Sequence, residues 1–511
     1  MAFGINDLLV MAPQLLLVLG GLIVLVSQIL IRGTGGARVA WNLTLITLVA
    51  AATVVTFGLS DAAGQVTVLP RAFLGSDTVA AINNTVRYTA YSANSILLLI
   101  SLAIVALLMM RTLLPALNID FAENYFLLLM SLAGYAYAIC SEDLITLFVG
   151  LELGSLPVLV LIGINRESRA ANEAALKYLL LSAFAIAFLL LGIALLYAGA
   201  GTVKFRELRE IAPHFTKTRI LVLAQIFILT GFFFKLAAFP LQSYIADVYA
   251  GCTTVFTAVL ASMSKAAAAL ILFKVSMGMH DGFRQYLAPI LTVAAIGSMF
   301  IGTFASIATN NLKRLIAYSS IANAGFMLCF LIIPSGTDPG IMGTLKQDAG
   351  SALYIYVVGY TAAALLAFAA IAILEMKTGN TNLTLQDLNG LATQHRFVAW
   401  ALGIAVLSFM GMPPFAGFFG KFFLFKYLAV SGSLTLAAIV GLSSGISVYA
   451  YIRILRPIFF GESPNVQPAT GDPAPASQRI AIGALIVVIS FFAVFSAFLY
   501  NSGVTAVQKI Y

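Results

Sequence analysis

Runs of about twenty apolar residues recur along this chain from one end to the other. A run of that length spans the hydrocarbon layer of a membrane as a helix. Among 511 residues, 61% are hydrophobic and only 9% charged, where a soluble domain carries about 25% charged residues. The shorter alternating strands of a membrane barrel do not appear. The chain therefore reads as an all-α polytopic membrane protein. About fourteen spans are expected, near 8–31, 39–59, 93–114, 125–140, 144–164, 174–197, 220–241, 253–277, 287–308, 315–333, 352–373, 397–430, 434–459 and 480–500. A polar, β-prone stretch at 65–91 is expected to form a small surface hairpin, and KFRELREI at 204–211 a short amphipathic helix on the surface. With that cluster set aside, the connections on one side carry twice the Lys and Arg of the other, which places the N-terminus outside. Asp7 is the only charge before the first span, so a cleavable signal peptide is not expected.

The bulk numbers also exclude classes of function. A formal charge of +8 is spread over short loops and isolated sites rather than a basic face, so nucleic acid is not an expected partner. Cys140, Cys252 and Cys329 lie far apart in apolar sequence, without zinc or iron–sulfur spacing, and read as helix-packing residues. His214, His280 and His395 fall in polar connections, and no nucleotide-binding glycine motif occurs. No metal and no cofactor is expected in this chain.

Against that background, five charges stand inside apolar runs: Glu152, Lys177, Lys235, Lys265 and Lys421. A charge at mid-bilayer costs roughly 2.5–3.5 kcal/mol on insertion scales, so such residues usually mark an ion or proton route. An ammonium cannot ligate a cation, whereas a lysine taken out of water gives up its proton more readily, so proton handling is favoured. For Lys235, Lys265 and Lys421 the nearest chain neighbours of either sign are too distant for easy escape to water. Position alone leaves Lys177 open between a surface pair with Glu173, four residues earlier, and a buried site. Lys274 reads as an interfacial anchor near a helix end, and Lys426 remains undecided. Two spans are interrupted by proline: GFFFKLAAFP ending at Pro240, and GMPPFAGFFGK with Pro413 and Pro414. Both carry a lysine in a similar string, and backbone freed by such breaks persists at membrane depth only when it is buried in protein or lines water.

These strings, taken in order, resemble those of the antiporter-like membrane subunits of respiratory complex I. The resemblance rests on GLELGSLPVLVLIG (150–163), EAALKYLLLSAFA (173–185), GFFFKLAAFPLQSYIADVYAG (231–251), NNLKRLIAYSSIANAGF (310–326) and GMPPFAGFFGKFFLF (411–425). It implies fourteen helices with two inverted five-helix repeats, at 123–277 and 278–460, each holding one broken helix. Three further helices occupy 1–122 and a last one 461–511. It implies that Glu152 is a coupling glutamate paired with Lys177, that Lys235 and Lys421 are the lysines of the two breaks, and that Lys265 is a central relay lysine. It implies proton pumping driven by electron transfer, with NADH, FMN, iron–sulfur clusters and quinone held in partner subunits and no covalent chemistry in this chain. The implied partners are the other membrane subunits of the complex and the lipid bilayer, in a bacterial inner (cytoplasmic) membrane. Pro240-Leu241-Gln242 and Asn323 stand where the family often has a histidine, so imidazoles are not expected to bridge the lysines. A multi-subunit cation/proton antiporter, a proton-pumping membrane hydrogenase and a structural spacer are the rival readings.

Overall fold

The computed structural model describes residues 11–31, 34–59, 80–81, 85–215, 219–278, 281–333, 339–462, 476–492 and 496. Among these residues helices dominate, ten of them long and apolar enough to cross a membrane, with two shorter apolar ones beside them. Helices α1 (Ala12–Leu30), α2 (Thr34–Leu59) and α3 (Ala90–Ala116) form an N-terminal layer. The expected hairpin survives as one two-residue ladder, β1 (Ala80–Ala81) against β2 (Val86–Arg87); residues 65–79, like the first ten of the chain, lie outside the described residues. The amphipathic segment forms α7 (Phe205–Phe215).

Helices α4 (Ala122–Cys140) and α5 (Leu144–Ile162) pack closely because small residues face each other. A Cβ on Gly134 would come within 2.2 Å of the Gly154 nitrogen, so only glycine permits the approach. Asp143 caps α5, its Oδ1 accepting from the Ile145 and Thr146 amides at 2.9 and 2.8 Å, which fixes where the turn carrying Glu152 begins. Helix α6 (Arg169–Ala200) packs along α8 (Arg219–Leu236), the first broken segment, which resumes as α9 (Ile245–Gly251).

The centre of the molecule is α10 (Thr254–Val259), a π-turn at Leu260–Ser264 and α11 (Lys265–Gly278), running as one span. Its most apolar window is 100% buried, and that of the long α14 (Pro339–Thr378) is 94% buried, against 33% for α6. These two spans are thus enclosed by protein, whereas α6 offers most of its surface outward. Around them stand α12 (Asp281–Ala308), α13 (Leu312–Cys329), the short α15 (Leu391–Gln394), α16 (Arg396–Met410), α17 (Ala416–Val430), α18 (Leu434–Phe460) and α19 (Ala476–Ser490).

Both proline breaks have the same backbone plan. Helix α8 ends with Ala237 in the left-handed region (φ 54°), and the Ala238 amide reaches back to the Phe233 carbonyl at 2.7 Å. Helix α16 ends with Gly411 at φ 82°, and the Met412 amide reaches the Leu407 carbonyl at 3.1 Å. Each is a Schellman-type stop, which ties off the last turn. A cis peptide follows at the same offset in both, before Pro240 and before Pro414. Pro115, Pro157, Pro289 and Pro457 ride inside helices instead.

Candidate proton-handling row

Lys235 lies in the last turn of α8, with its side chain 7% exposed. Its ammonium donates to Glu152 Oε1 at 3.0 Å and to Ser155 Oγ at 2.7 Å, both on α5. Ser155 also donates to Glu152 Oε2 at 3.3 Å, so the carboxylate is held at both oxygens. A buried charge persists only when paired and hydrogen-bonded, and this pair meets that condition. The Phe234 carbonyl at the break accepts from the Tyr244 hydroxyl at 2.8 Å, which leaves the Lys235 amine to the carboxylate.

Lys265 follows the π-turn directly and is 2% exposed. The inserted residue of a π-turn redirects side chains, and such turns cluster at functional positions. The Lys265 ammonium donates to the Ser320 hydroxyl at 2.8 Å and to the Ser320 carbonyl at 3.1 Å on α13. No carboxylate pairs with it among the described residues. Its neighbour Ser264 accepts from Tyr135 at 3.1 Å, and the Tyr135 ring packs against Gly154, two residues from Glu152. Polar groups therefore run from the Lys235–Glu152 pair to Lys265.

They continue beyond it. On α13, Ser319 shares a 2.7 Å hydrogen bond with the Tyr451 hydroxyl, and Asn323 donates to the Ser319 carbonyl at 2.8 Å. Tyr356 donates to Asn323 Oδ1 at 2.6 Å. Asn323, Tyr356, Tyr360 and Ser408 line a cavity of about 10 Å³ with Lys421, at the threshold of room for one water. Lys421 sits in α17, 8% exposed, and donates at 3.1 Å to the Phe409 and Met410 carbonyls that the second break frees. Its amine stands 5.5 Å from the Phe326 ring centre, which adds a cation–π contact.

Four of the five expected charges are thus enclosed: Lys265 and Lys421 are buried, and Lys235 and Glu152 nearly so, with side chains 7% and 13% exposed. Lys177 is the exception, and its expected pairing with Glu152 is corrected. Its side chain is 39% exposed, and its amine contacts Asp247 at 2.6 Å and Glu173 at 2.7 Å. Asp247 also receives Arg314 at 3.0 Å. Lys177 lies on the outer face of α6, and Glu152 is already held by Lys235, which reaches it from the opposite helix.

Two further buried pairs were missed. Lys274, expected as an interfacial anchor, is 3% exposed and stands 3.3 Å from Glu142, with the Ile139 and Ser141 carbonyls also accepting from it. It is enclosed because the whole of its span is. Lys313 is 4% exposed and stands 2.8 Å from Glu375 in the last turn of α14; Thr254 donates to the same carboxylate. In the sequence, Lys313 reads as part of a connection, and Glu375 falls just past the span expected at 352–373. The uncharged run from Asp348 to Glu375 was the available signal.

Residues 141–447 match the family described as NADH:quinone oxidoreductase/Mrp antiporter, TM. NADH-quinone oxidoreductase subunit N of Paramagnetospirillum magneticum is 36% identical, over 75% of this chain and 77% of that protein. Among solved structures, a chain of respiratory complex I from Thermus thermophilus with bound aureothin is 25% identical, with a TM-score of 0.76, over 96% of this chain and 98% of that one. A chain of the Mrp complex from Dietzia sp. DQ12-45-1b has a TM-score of 0.79 at 21% identity, covering 99% and 97%, and shares the fold.

Proposed function

Since the chain belongs to the NADH:quinone oxidoreductase/Mrp antiporter transmembrane family, we propose that it carries protons across the membrane as the subunit-N-type component of an NADH-quinone oxidoreductase. Electron transfer from NADH to quinone, through FMN and iron–sulfur clusters in partner subunits, supplies the drive. The membrane is the bacterial inner membrane, and the neighbours are the other membrane subunits of that complex. This chain forms and breaks no covalent bonds of substrate; it is one subunit of a translocase.

One observation carries the reading: Lys265 is enclosed in the central span with serine oxygens, not a carboxylate, as its partners. A lone ammonium there is costly, so the neutral amine lies within reach and the residue can pass a proton on. Protonating one amine disfavours charge on the next, so a proton arriving at Lys421 or Lys265 loosens the hold of Glu152 on Lys235. Glu152, Lys235, Lys265 and Lys421 form the relay. Lys177 acts indirectly: through Asp247 it ties α6 to α9, the helix that resumes after the first break. Pro240, Pro413 and Pro414 keep the two spans interrupted, and the shared plan of the breaks supports repeats at 123–277 and 278–460, flanked by 1–122 and 461–511.

A cation/proton antiporter subunit is the second reading, favoured by the likeness to the Mrp complex. Inverted vesicles separate the two. With Lys235→Met, NADH-driven acidification should be lost while the subunit remains inserted and assembled. In the unaltered protein, replacing sodium by choline should leave acidification unchanged. Normal acidification in the variant removes Lys235 from the route, and a sodium requirement favours the antiporter.

A further inference from the structure

A groove of about 1090 Å³ opens at one end of the N-terminal layer, far from the lysine row in the sequence and built by other helices. The C-terminal end of α1, the start of α2, the last turns of α3 and the turn into α4 surround it, so it lies at a single membrane face. Arg38 and Arg111 both line it, and both are exposed. Neither guanidinium pairs with a carboxylate among the described residues. Arg111 lies 4.5 Å over the Trp41 ring, and Trp41 is itself fixed by donating its indole N–H to the Leu107 carbonyl at 2.9 Å. The guanidinium is thus held in place with its donors free. Asp120, the acidic residue on the lining, is engaged by Tyr125: its Oδ1 accepts from the Tyr125 hydroxyl at 2.6 Å, and burial holds its carboxyl above the usual range.

Apolar Trp41, Pro115 and Phe121 share the lining with polar side chains such as Gln28 and Asn42, and exposed apolar residues stand next to it at the end of α1. Phe121 on the rim is 43% exposed, and Ile29 and Leu30 at the end of α1 are 74% and 77% exposed. Two exposed arginines, one of them held over an indole, beside exposed apolar side chains at a membrane face match a molecule with an anionic head and hydrocarbon tails. The volume is many times that of a free phosphate ion. We infer that this groove binds the phosphate headgroup of an anionic phospholipid, with Arg38 and Arg111 on the phosphate and the acyl chains over Phe121 and the end of α1. Arginine suits this role because its planar fork grips phosphate oxygens in pairs.

Native mass spectrometry of the assembled complex tests the assignment. Complexes carrying this chain, or its R38Q/R111Q variant, are equilibrated with micelles holding phosphatidylglycerol or phosphatidylcholine at equal mole fraction. The unaltered complex should retain one more phosphatidylglycerol than the variant, and the double substitution should weaken that binding roughly thirtyfold. An R38K/R111K variant, which keeps the charge but not the planar fork, should recover only part of it, which distinguishes lost charge from lost structure. Equal retention by all three complexes overturns the proposal. So does equal retention of phosphatidylcholine at the arginine-dependent site, or displacement of the lipid by inorganic phosphate alone. A density map of the complex with a partner's polypeptide in the groove overturns it as well.

Discussion

The two broken helices share a backbone plan but treat their lysines differently. At the first break Tyr244 occupies the freed Phe234 carbonyl, and Lys235 turns to Glu152 and Ser155. At the second, Lys421 itself caps the freed carbonyls of Phe409 and Met410. The first lysine therefore belongs to a charge-neutral pair, and the second sits at the negative end of a helix dipole with no acid paired to it among the described residues. A helix terminus supplies far less than a full counter-charge, so Lys421 lacks the compensation that Lys235 has. The same break thus holds one lysine in an ion pair and the other on backbone carbonyls.

The comparison breaks most sharply at Glu152. Glu152→Gln should strand the Lys235 amine and destabilise the folded subunit by about 3–5 kcal/mol, as expected when one member of a buried pair is removed. Thermal unfolding of the complex in detergent measures this, and acidification should fail with it. Lys421→Met should cost less, about 1–3 kcal/mol, because it leaves two carbonyls short of a donor rather than a charge unpaired. Equal losses in the two variants would show that the sites are alike. Gly411→Ala should destabilise by about 1–2 kcal/mol from the left-handed backbone alone. Its new Cβ would also stand 2.8 Å from Lys421 Cδ, so acidification should fall with stability. The reverse exchange at the first break, Ala237→Gly, should change stability by less than about 1 kcal/mol. Relief of the left-handed strain there is offset by the loss of a fully buried methyl group. Lys177→Met should have the smallest effect on acidification, since its pairs are partly exposed and screened.

Much of this was legible in the sequence, for a physical reason. Hydrocarbon tolerates few charges, so Lys235, Lys265 and Lys421 stood out in runs that offered them no exit. The breaks were legible because proline and glycine interrupted spans otherwise long enough to cross. What could not be read was pairing. Glu152 and Lys235 are 83 residues apart, and only the packing of α5 against the break joins them. Lys177 had its partner Glu173 within a turn, while Asp247 was hidden until α9 folded back onto α6. Lys274 resembled an anchor and Lys313 a loop residue because sequence gives distance along a helix, not how much protein surrounds it. The π-turn before Lys265 left no mark in LASMSK, a string that suits an ordinary helix equally well.

On the proposed route, protons pass through the amine of Lys265 at the centre of the molecule. Its most direct test is the ratio of protons translocated to NADH oxidised in inverted vesicles carrying Lys265→Met, with assembly verified on the same membranes. A ratio below that of the unaltered complex is predicted, while an unchanged ratio in a fully assembled complex would contradict the account.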